Sequence, residues 1–274
     1  MIVVTGATGN VGQALVELLA GAGERVTAVS RRAPESGVLP AGVVHRAVDL
    51  ADADGLAPAL EGADALFLLV AGEDPEAILS AAKAGGVRRV VLLSSQGAGT
   101  RPDAYRHPVA FETAVKGSGL EWTVLRPGGF ATNTFQWAQS VREQRTVVAP
   151  FADVALPVID PADIAAVAAV ALREDGHDGR TYVLTGPAAL SPRRRAQVIA
   201  EALGEPVRFV EQTPEDARAQ LLGFMPEPVV AATLAILGAP TAAEQAVSPD
   251  VEKVLGRAPR SFAEWTVRNL PAFR

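Results

Sequence analysis

The sequence predicts an α/β fold: a doubly wound parallel sheet with a second, smaller and mostly helical C-terminal lobe. Three observations predict it. Short β-branched runs alternate with alanine-rich helical stretches from the N-terminus to about residue 185. The first of these runs, Val3-Val4-Thr5, leads straight into three glycines, Gly6, Gly9 and Gly12, spaced GxxGxxG and followed by an apolar helical stretch. From Gly186 onward the texture changes to helical segments divided by prolines at 226, 228, 240, 249 and 259.

Taken in order, the β-branched runs predict strands over 2–5, 25–30, 43–47, 65–70, 89–94, 122–126 and 181–184. The intervening stretches predict helices over 11–22, 56–60, 75–84, 109–118 and 161–172. Beyond 186, helices are expected over 191–203 and 215–222, with a short strand over 207–210. Residues 1–185 therefore read as a Rossmann-type dinucleotide-binding domain and 186–274 as a lobe closing over its cleft, with 153–172 a possible second contributor to that cleft.

The glycine run carries the chemistry. In a strand-turn-helix of this kind the first glycine permits the bend, the second lets backbone approach a pyrophosphate, and the third lets helix pack on strand. Free N–H groups at the helix start face the phosphate charge. Gly6, Thr8, Gly9, Asn10, Val11 and Gly12 are thus expected to cradle a dinucleotide. The second strand of such a fold ends beside the adenosine ribose, where a carboxylate would hold the hydroxyls of NAD and repel the phosphate of NADP. Here the exit reads Val29-Ser30-Arg31-Arg32, a hydroxyl and a guanidinium able to grip phosphate with two parallel hydrogen bonds. NADP is expected over NAD, which stays the alternative. Leu69, Val70 and Ala71, leaving the fourth strand, would line the cofactor's other side.

Composition narrows the function classes. The 274 residues are enough to bury a core without staples, and with no cysteine there is neither disulfide nor thiolate chemistry. His45, His107 and His177 lack metal-ligand spacing, so no metal is expected. A net charge of −6 argues against a nucleic-acid partner. The cluster Arg193, Arg194 and Arg195 follows Ser191-Pro192, which predicts the exposed start of a helix; a phosphate-binding patch is the alternative. Apolar runs over 65–71 and 164–172 are too short to span a bilayer, and the first residues read as a core strand, not a signal peptide. A cytoplasmic protein without membrane attachment is expected.

The chain resembles the atypical short-chain dehydrogenase/reductases of the NmrA-like group, which includes NADPH-dependent quinone oxidoreductases. The resemblance is carried by TGATGNVG at 5–12, SRR at 30–32, VVLLSS at 90–95, SGLEWTVLRPGGFATN at 118–133, DPADIA at 160–165, YVLTGP at 182–187 and PRSFAEW at 259–265. It implies that Asp49 and Leu50 lie against the adenine and that Ser94 belongs to the cofactor site. Pro127, Gly128 and Phe130 would approach the nicotinamide, and Gln96, Asn133 and Trp137 would face the substrate. For Trp137 and its neighbour Phe135, a place in the core is the equal alternative.

The same resemblance exposes a departure. Enzymes of the wider superfamily use a Tyr and a Lys four residues later, whose ammonium lowers the phenol's pKa. Here Val109 and Gly186 stand four residues after Tyr105 and Tyr182, and the family's Lys or His position falls on Pro108. Tyr105 and His107 are the candidate proton donors. The competing reading makes 105–108 a loop entering a helix, with Pro108 in its first turn. Glu112 is expected to favour the helix dipole, and Asp160 and Asp163 to cap the helix over 161–172.

An intact cofactor turn without the proton-delivery pair predicts an NAD(P)H-dependent oxidoreductase for a quinone or electron-poor aromatic carbonyl, with tailoring of an aromatic natural product as a plausible setting. Such acceptors need little acid assistance because the reduced product is a stabilised phenolate. The alternative is a sensor that binds NAD(P) without turnover.

Overall fold

The computed structural model describes residues 1–35 and 39–274. By contacts the chain forms two units, the first of Met1–Pro127, Pro161–Leu184 and Asp250–Gly256, the second of Gly128–Asp160, Thr185–Pro249 and Arg257–Arg274. One crossing falls between Leu184 and Thr185, beside the single boundary read from composition. The others arise because 128–160 pairs its strands with one another and with the segment after 184, a long-range preference that composition does not register.

The chain opens in the first unit with β1 (Ile2–Thr5), α1 (Gly12–Gly21), β2 (Val26–Ser30), β3 (Val44–Ala47), α2 (Ala53–Leu60), β4 (Ala65–Leu69) and α3 (Pro75–Gly85). It continues there with β5 (Arg89–Leu93), α4 (Gln96–Thr100), α5 (Arg106–Gly117) and β6 (Glu121–Pro127). The second unit then supplies β7 (Gly129–Phe130), a 3₁₀ helix (Ala131–Trp137), α6 (Ala138–Gln144), β8 (Thr146–Ala149) and β9 (Leu156–Ile159). The first regains the chain for α7 (Pro161–Arg173) and β10 (Arg180–Leu184). The second holds β11 (Ala189–Leu190), α8 (Pro192–Leu203), β12 (Arg208–Glu211), α9 (Pro214–Leu222), α10 (Glu227–Gly238) and α11 (Ala242–Gln245). After α12 (Asp250–Leu255) of the first unit, α13 (Phe262–Arg268) and a 3₁₀ turn (Leu270–Phe273) close the second.

The first unit is the expected doubly wound α/β fold. Its seven strands run in the order β10-β6-β5-β4-β1-β2-β3, all neighbours parallel. Helices cover both faces, so β1 and β2 are buried at every residue and read as continuous apolar runs. Val3, Leu66, Leu68, Val90 and Leu92 point one side of the sheet into a core shared with Leu56, Ile78 and Phe111 of α2, α3 and α5. Side-chain caps fix the helix entries: Asp52 accepts from the Gly55 N–H at 2.8 Å, and Asp74 from Ala77 at 2.9 Å with Pro75 in the first turn. Connectivity reverses between β1 and β4, so the glycine turn leaving β1 stands at the switch point where such sheets bind ligands.

The second unit has a three-stranded sheet, β11-β9-β7, and a parallel pair, β12-β8. Trp137, Phe262, Trp265, Phe273 and Ile199 form its core. Ser191 caps α8 and Ser261 caps α13, the latter in a capping box with Glu264. Among the described residues no helix is long and apolar enough to cross a membrane, and no group of acidic or histidine side chains could hold a metal ion.

Candidate active site

The turn after β1 has the geometry its spacing requires. Gly6 sits at φ +63°, a conformation that disfavours a side chain, and the Leu69 side chain fills the space a Cβ would need. Gly12 lies directly on the Gly6 carbonyl, so any Cβ there would drive α1 off the turn. Gly9 closes the bend with its N–H on the Gly6 oxygen at 2.9 Å. Thr5 pins the strand end by donating to the Phe67 carbonyl at 2.9 Å and accepting the Leu69 N–H at 2.9 Å. No side chain caps α1, and the Gln13 N–H in its first turn is taken by the Gly9 carbonyl at 3.0 Å, which seats the helix start on the glycine turn. A glycine cradle ahead of an uncapped helix fits the pyrophosphate of a dinucleotide.

The neighbouring strand exits interlock with that turn. Beyond β2, the Ser30 hydroxyl donates to the Arg32 carbonyl at 2.8 Å and meets His45 Nε2 at 2.8 Å, so its proton is already committed. The exposed Arg31 and Arg32 make no side-chain hydrogen bond or ion pair among the described residues, so both guanidinium groups are donors that exit can offer. After β3, the Asp49 carboxylate accepts the Ala51 N–H at 3.1 Å, shaping the loop, while Leu50 is buried. Past Leu69, Val70 and Ala71, Gly72 at φ +87° packs its Cα against the Leu50 carbonyl.

Tyr105 and His107 stand beside this group. α5 begins at Arg106, three residues before the expected start, which takes His107 out of a loop and into the first helical turn. Pro108 is tolerated there because first-turn N–H groups have no intrahelical partner. The His107 ring is edge-on to Phe111, and its Nε2 lies 2.7 Å from the Gly72 carbonyl. A carbonyl only accepts, so Nε2 carries the proton and Nδ1 is the nitrogen left to a ligand. The half-buried Tyr105 ring lies flat on Gly97 of α4, the helix that Gln96 begins after Ser95 caps it.

One cluster escaped the sequence reading. Ser94, leaving β5, donates to Glu112 Oε1 at 2.7 Å; Arg126 of β6 grips the same carboxylate through both oxygens at 2.8 and 2.6 Å; Lys116 adds a 3.0 Å contact. Burial pushes the Glu112 carboxyl up, but the hydrogen bonds from Arg126, Ser94 and Lys116 outweigh it and hold its pKa at about 2. Glu112 is the seventh residue of α5, beyond the reach expected of a helix-dipole role; it ties β5, β6 and α5 together. The Arg126 guanidinium passes over Gly99, where a side chain would block it. The signal was there in the GxG of Gln96-Gly97-Ala98-Gly99, two glycines making room for Tyr105 and Arg126.

The remaining candidates are split between units. Pro127 ends β6; Gly128, Phe130, Asn133 and Trp137 belong to the second unit. Asn133 is exposed there, and Trp137 is in the core. Asp160 precedes α7, with the Arg268 guanidinium bonded to its carboxylate, and Asp163 is buried in the first turn of α7. A separate polar cavity of about 560 Å³, lined by His177, Arg180, Tyr182 and Asp250 among others, lies at the entry of β10, away from the strand exits that carry the glycine turn.

Comparison with known proteins places this geometry. Residues 6–175 match a family model described as NAD(P)H-binding. The chain belongs to the NAD(P)H-binding family. It is 38% identical, over 281 residues covering all of this chain and 99% of the other, to the (4-alkanoyl-5-oxo-2,5-dihydrofuran-3-yl)methyl phosphate reductase of Streptomyces griseus. It is 36% identical, with 100% and 99% covered, to the NAD(P)H azoreductase of Xenophilus azovorans. An NADPH-dependent quinone oxidoreductase from Escherichia coli, solved with NADPH, superposes with a TM-score of 0.83 at 27% identity over 98% of this chain and 99% of the other. The chain is thus an NAD(P)H-dependent reductase, and these relatives weigh against a sensor without turnover.

Proposed function

We propose that this NAD(P)H-binding protein is a cytoplasmic reductase that prefers NADPH and reduces a conjugated, electron-poor small molecule, a quinone above all. The observation that carries the reading is a complete phosphate-binding turn combined with the loss of the Tyr-Lys pair: Val109 and Gly186 stand four residues after the two tyrosines, and the family's Lys or His position falls on Pro108. Relatives named for a quinone, an azo compound and an alkanoyl-oxo-dihydrofuran support it, since all are conjugated acceptors.

When bound, reduced nicotinamide supplies a hydride. The turn from Gly6 to Gly12 holds the pyrophosphate, Arg31 the ribose phosphate, and Leu69, Val70 and Ala71 one side of the cofactor. Ser94 and Glu112 hold the exits of β5 and β6 in place instead of moving protons. Conversion of a quinone to a hydroquinone takes up the hydride and one proton. The phenolate that forms is stable enough for solvent, or His107 through Nδ1, to complete the step.

Steady-state rates with NADPH over 1,4-naphthoquinone, an azo dye and cyclohexanone test the reading. Turnover of the quinone and none of cyclohexanone is expected. Comparable turnover of the simple ketone would mean that a strong proton donor is present and would overturn the assignment.

A further inference from the structure

His45 is the inward-turned residue of an otherwise exposed strand. β3 is the last strand of the seven-stranded sheet, and Val44, Arg46 and Ala47 are exposed along it while His45 is half-buried. In the parallel register His45 lies opposite Ala28 and Ala47 opposite Ser30, so alternation puts His45 and Ser30 on one face of the sheet as diagonal neighbours. The imidazole closes that diagonal, with Nε2 2.8 Å from the Ser30 hydroxyl.

Ser30 is buried, and its one proton goes to the Arg32 carbonyl at 2.8 Å. A carbonyl only accepts, so the hydroxyl must accept from His45, whose Nε2 carries a hydrogen. Neutral imidazole and imidazolium both meet that requirement. The result is a directed chain, from His45 Nε2–H to Ser30 Oγ and from the Ser30 O–H to the Arg32 carbonyl, in which the buried hydroxyl is satisfied as donor and as acceptor.

The chain takes over where the strand ladder stops. β2 ends at Ser30, whose carbonyl accepts the Val48 N–H at 3.1 Å. Past that point the bond from Ser30 to Arg32 spans Arg31 and holds the main chain on either side of it. The exposed Arg31 and Arg32 side chains, without partners of their own among the described residues, therefore leave from a backbone of set direction. An arginine loses rotamer freedom when it grips a ligand, and a fixed base reduces what is left to lose. The chain also consumes the Ser30 proton, so Ser30-Arg31-Arg32 presents neither a free hydroxyl donor nor a carboxylate to the ribose hydroxyls of NAD.

We infer that His45 is a positioning residue for cofactor choice: acting through Ser30, it sets the β2 exit to receive the ribose phosphate of NADPH on Arg31 and Arg32. This rests on the reading above that places the phosphate at that exit. His45 acts on the backbone that carries the two arginines and has no part in hydride transfer.

Calorimetric dissociation constants for NADPH and NADH test it. In His45→Leu and in Ser30→Ala, NADPH should weaken about 3- to 10-fold and NADH less than about twofold, the NADH titration also reporting that the variant is folded. His45→Gln, whose amide N–H can stand in for Nε2, should bind NADPH within about twofold of wild type. The double variant should be no weaker than the weaker single one, since the two residues act in one chain. Equal losses for both cofactors in His45→Leu would mean that His45 only holds the edge strand, and a loss in His45→Gln as large as in His45→Leu would remove the donated hydrogen bond; either result overturns the inference. The paired variant Arg31→Ala with Arg32→Ala separates it from the reading beneath it. A selective loss of NADPH there, with none in His45→Leu, overturns the role of His45 and leaves the phosphate at the exit. An unchanged ratio of NADPH to NADH affinity there overturns that placement, and the role of His45 with it.

Discussion

His107 donates its Nε2 proton to the Gly72 carbonyl across 2.7 Å, tying the first turn of α5 to the segment that leaves β4. Gly72 in turn packs on the Leu50 carbonyl, and Leu69 on Gly6. The imidazole is thereby fastened to the loops that line the cofactor turn.

Fastening is not catalysis. His107→Ala and Tyr105→Phe should each lower kcat less than about tenfold, below what a positioned general acid contributes, because solvent can protonate a hydroquinone anion. A loss of about 10²-fold or more in either variant, with NADPH affinity intact, would identify that side chain as the proton donor.

Arg31 stands exposed at the β2 exit with no side-chain partner among the described residues. Arg31→Ala should weaken NADPH by about 1 to 3 kcal/mol and leave NADH nearly unchanged, the difference being the charge-assisted bonds to the ribose phosphate. Dissociation constants for both cofactors check this, and an equal loss for each would remove Arg31 from the phosphate.

Glu112 predicts an acid-sensitive contribution to stability. Its folded pKa of about 2 lies below the ordinary 4.5, so the stabilisation is complete above about 4.5 and lost as pH falls toward 2. The shift corresponds to about 3 kcal/mol as an upper figure at neutral pH. Glu112→Gln should therefore unfold more easily than wild type at pH 7, with the gap closing as both are titrated toward pH 2. Urea midpoints across that range measure it; a gap independent of pH would mean that the carboxylate charge is not what Arg126 and Ser94 hold.

Much of this was legible in the sequence, for physical reasons. The parallel sheet could be read because strands buried on both faces leave continuous apolar runs, and the turn because Gly6 and Gly12 occupy places where a Cβ cannot fit. What escaped depends on distant partners. Nothing local to Glu112 announces that Ser94 and Arg126 converge on it from two strands. Nothing in Arg193-Arg194-Arg195 distinguishes Arg195, whose guanidinium turns inward to lie 5.0 Å over the Trp137 indole, from the two that meet Asp153 and Glu201. The second unit's short strands, β7, β9 and β11, are two to four residues long and exist through their pairing, which a single-sequence pattern does not encode.

The central claim is that the glycine turn binds NADPH for turnover, and stoichiometry tests it most directly. Wild-type protein mixed with NADPH and 1,4-naphthoquinone should oxidise the cofactor one-for-one with hydroquinone formed. Gly9→Asp puts a carboxylate where the pyrophosphate belongs, with its Cβ about 3.3 Å from the Gly6 carbonyl, and should lose both NADPH binding and turnover while remaining folded. Tight NADPH binding by the wild type with no oxidation by any conjugated acceptor, or full activity in folded Gly9→Asp, would contradict the account.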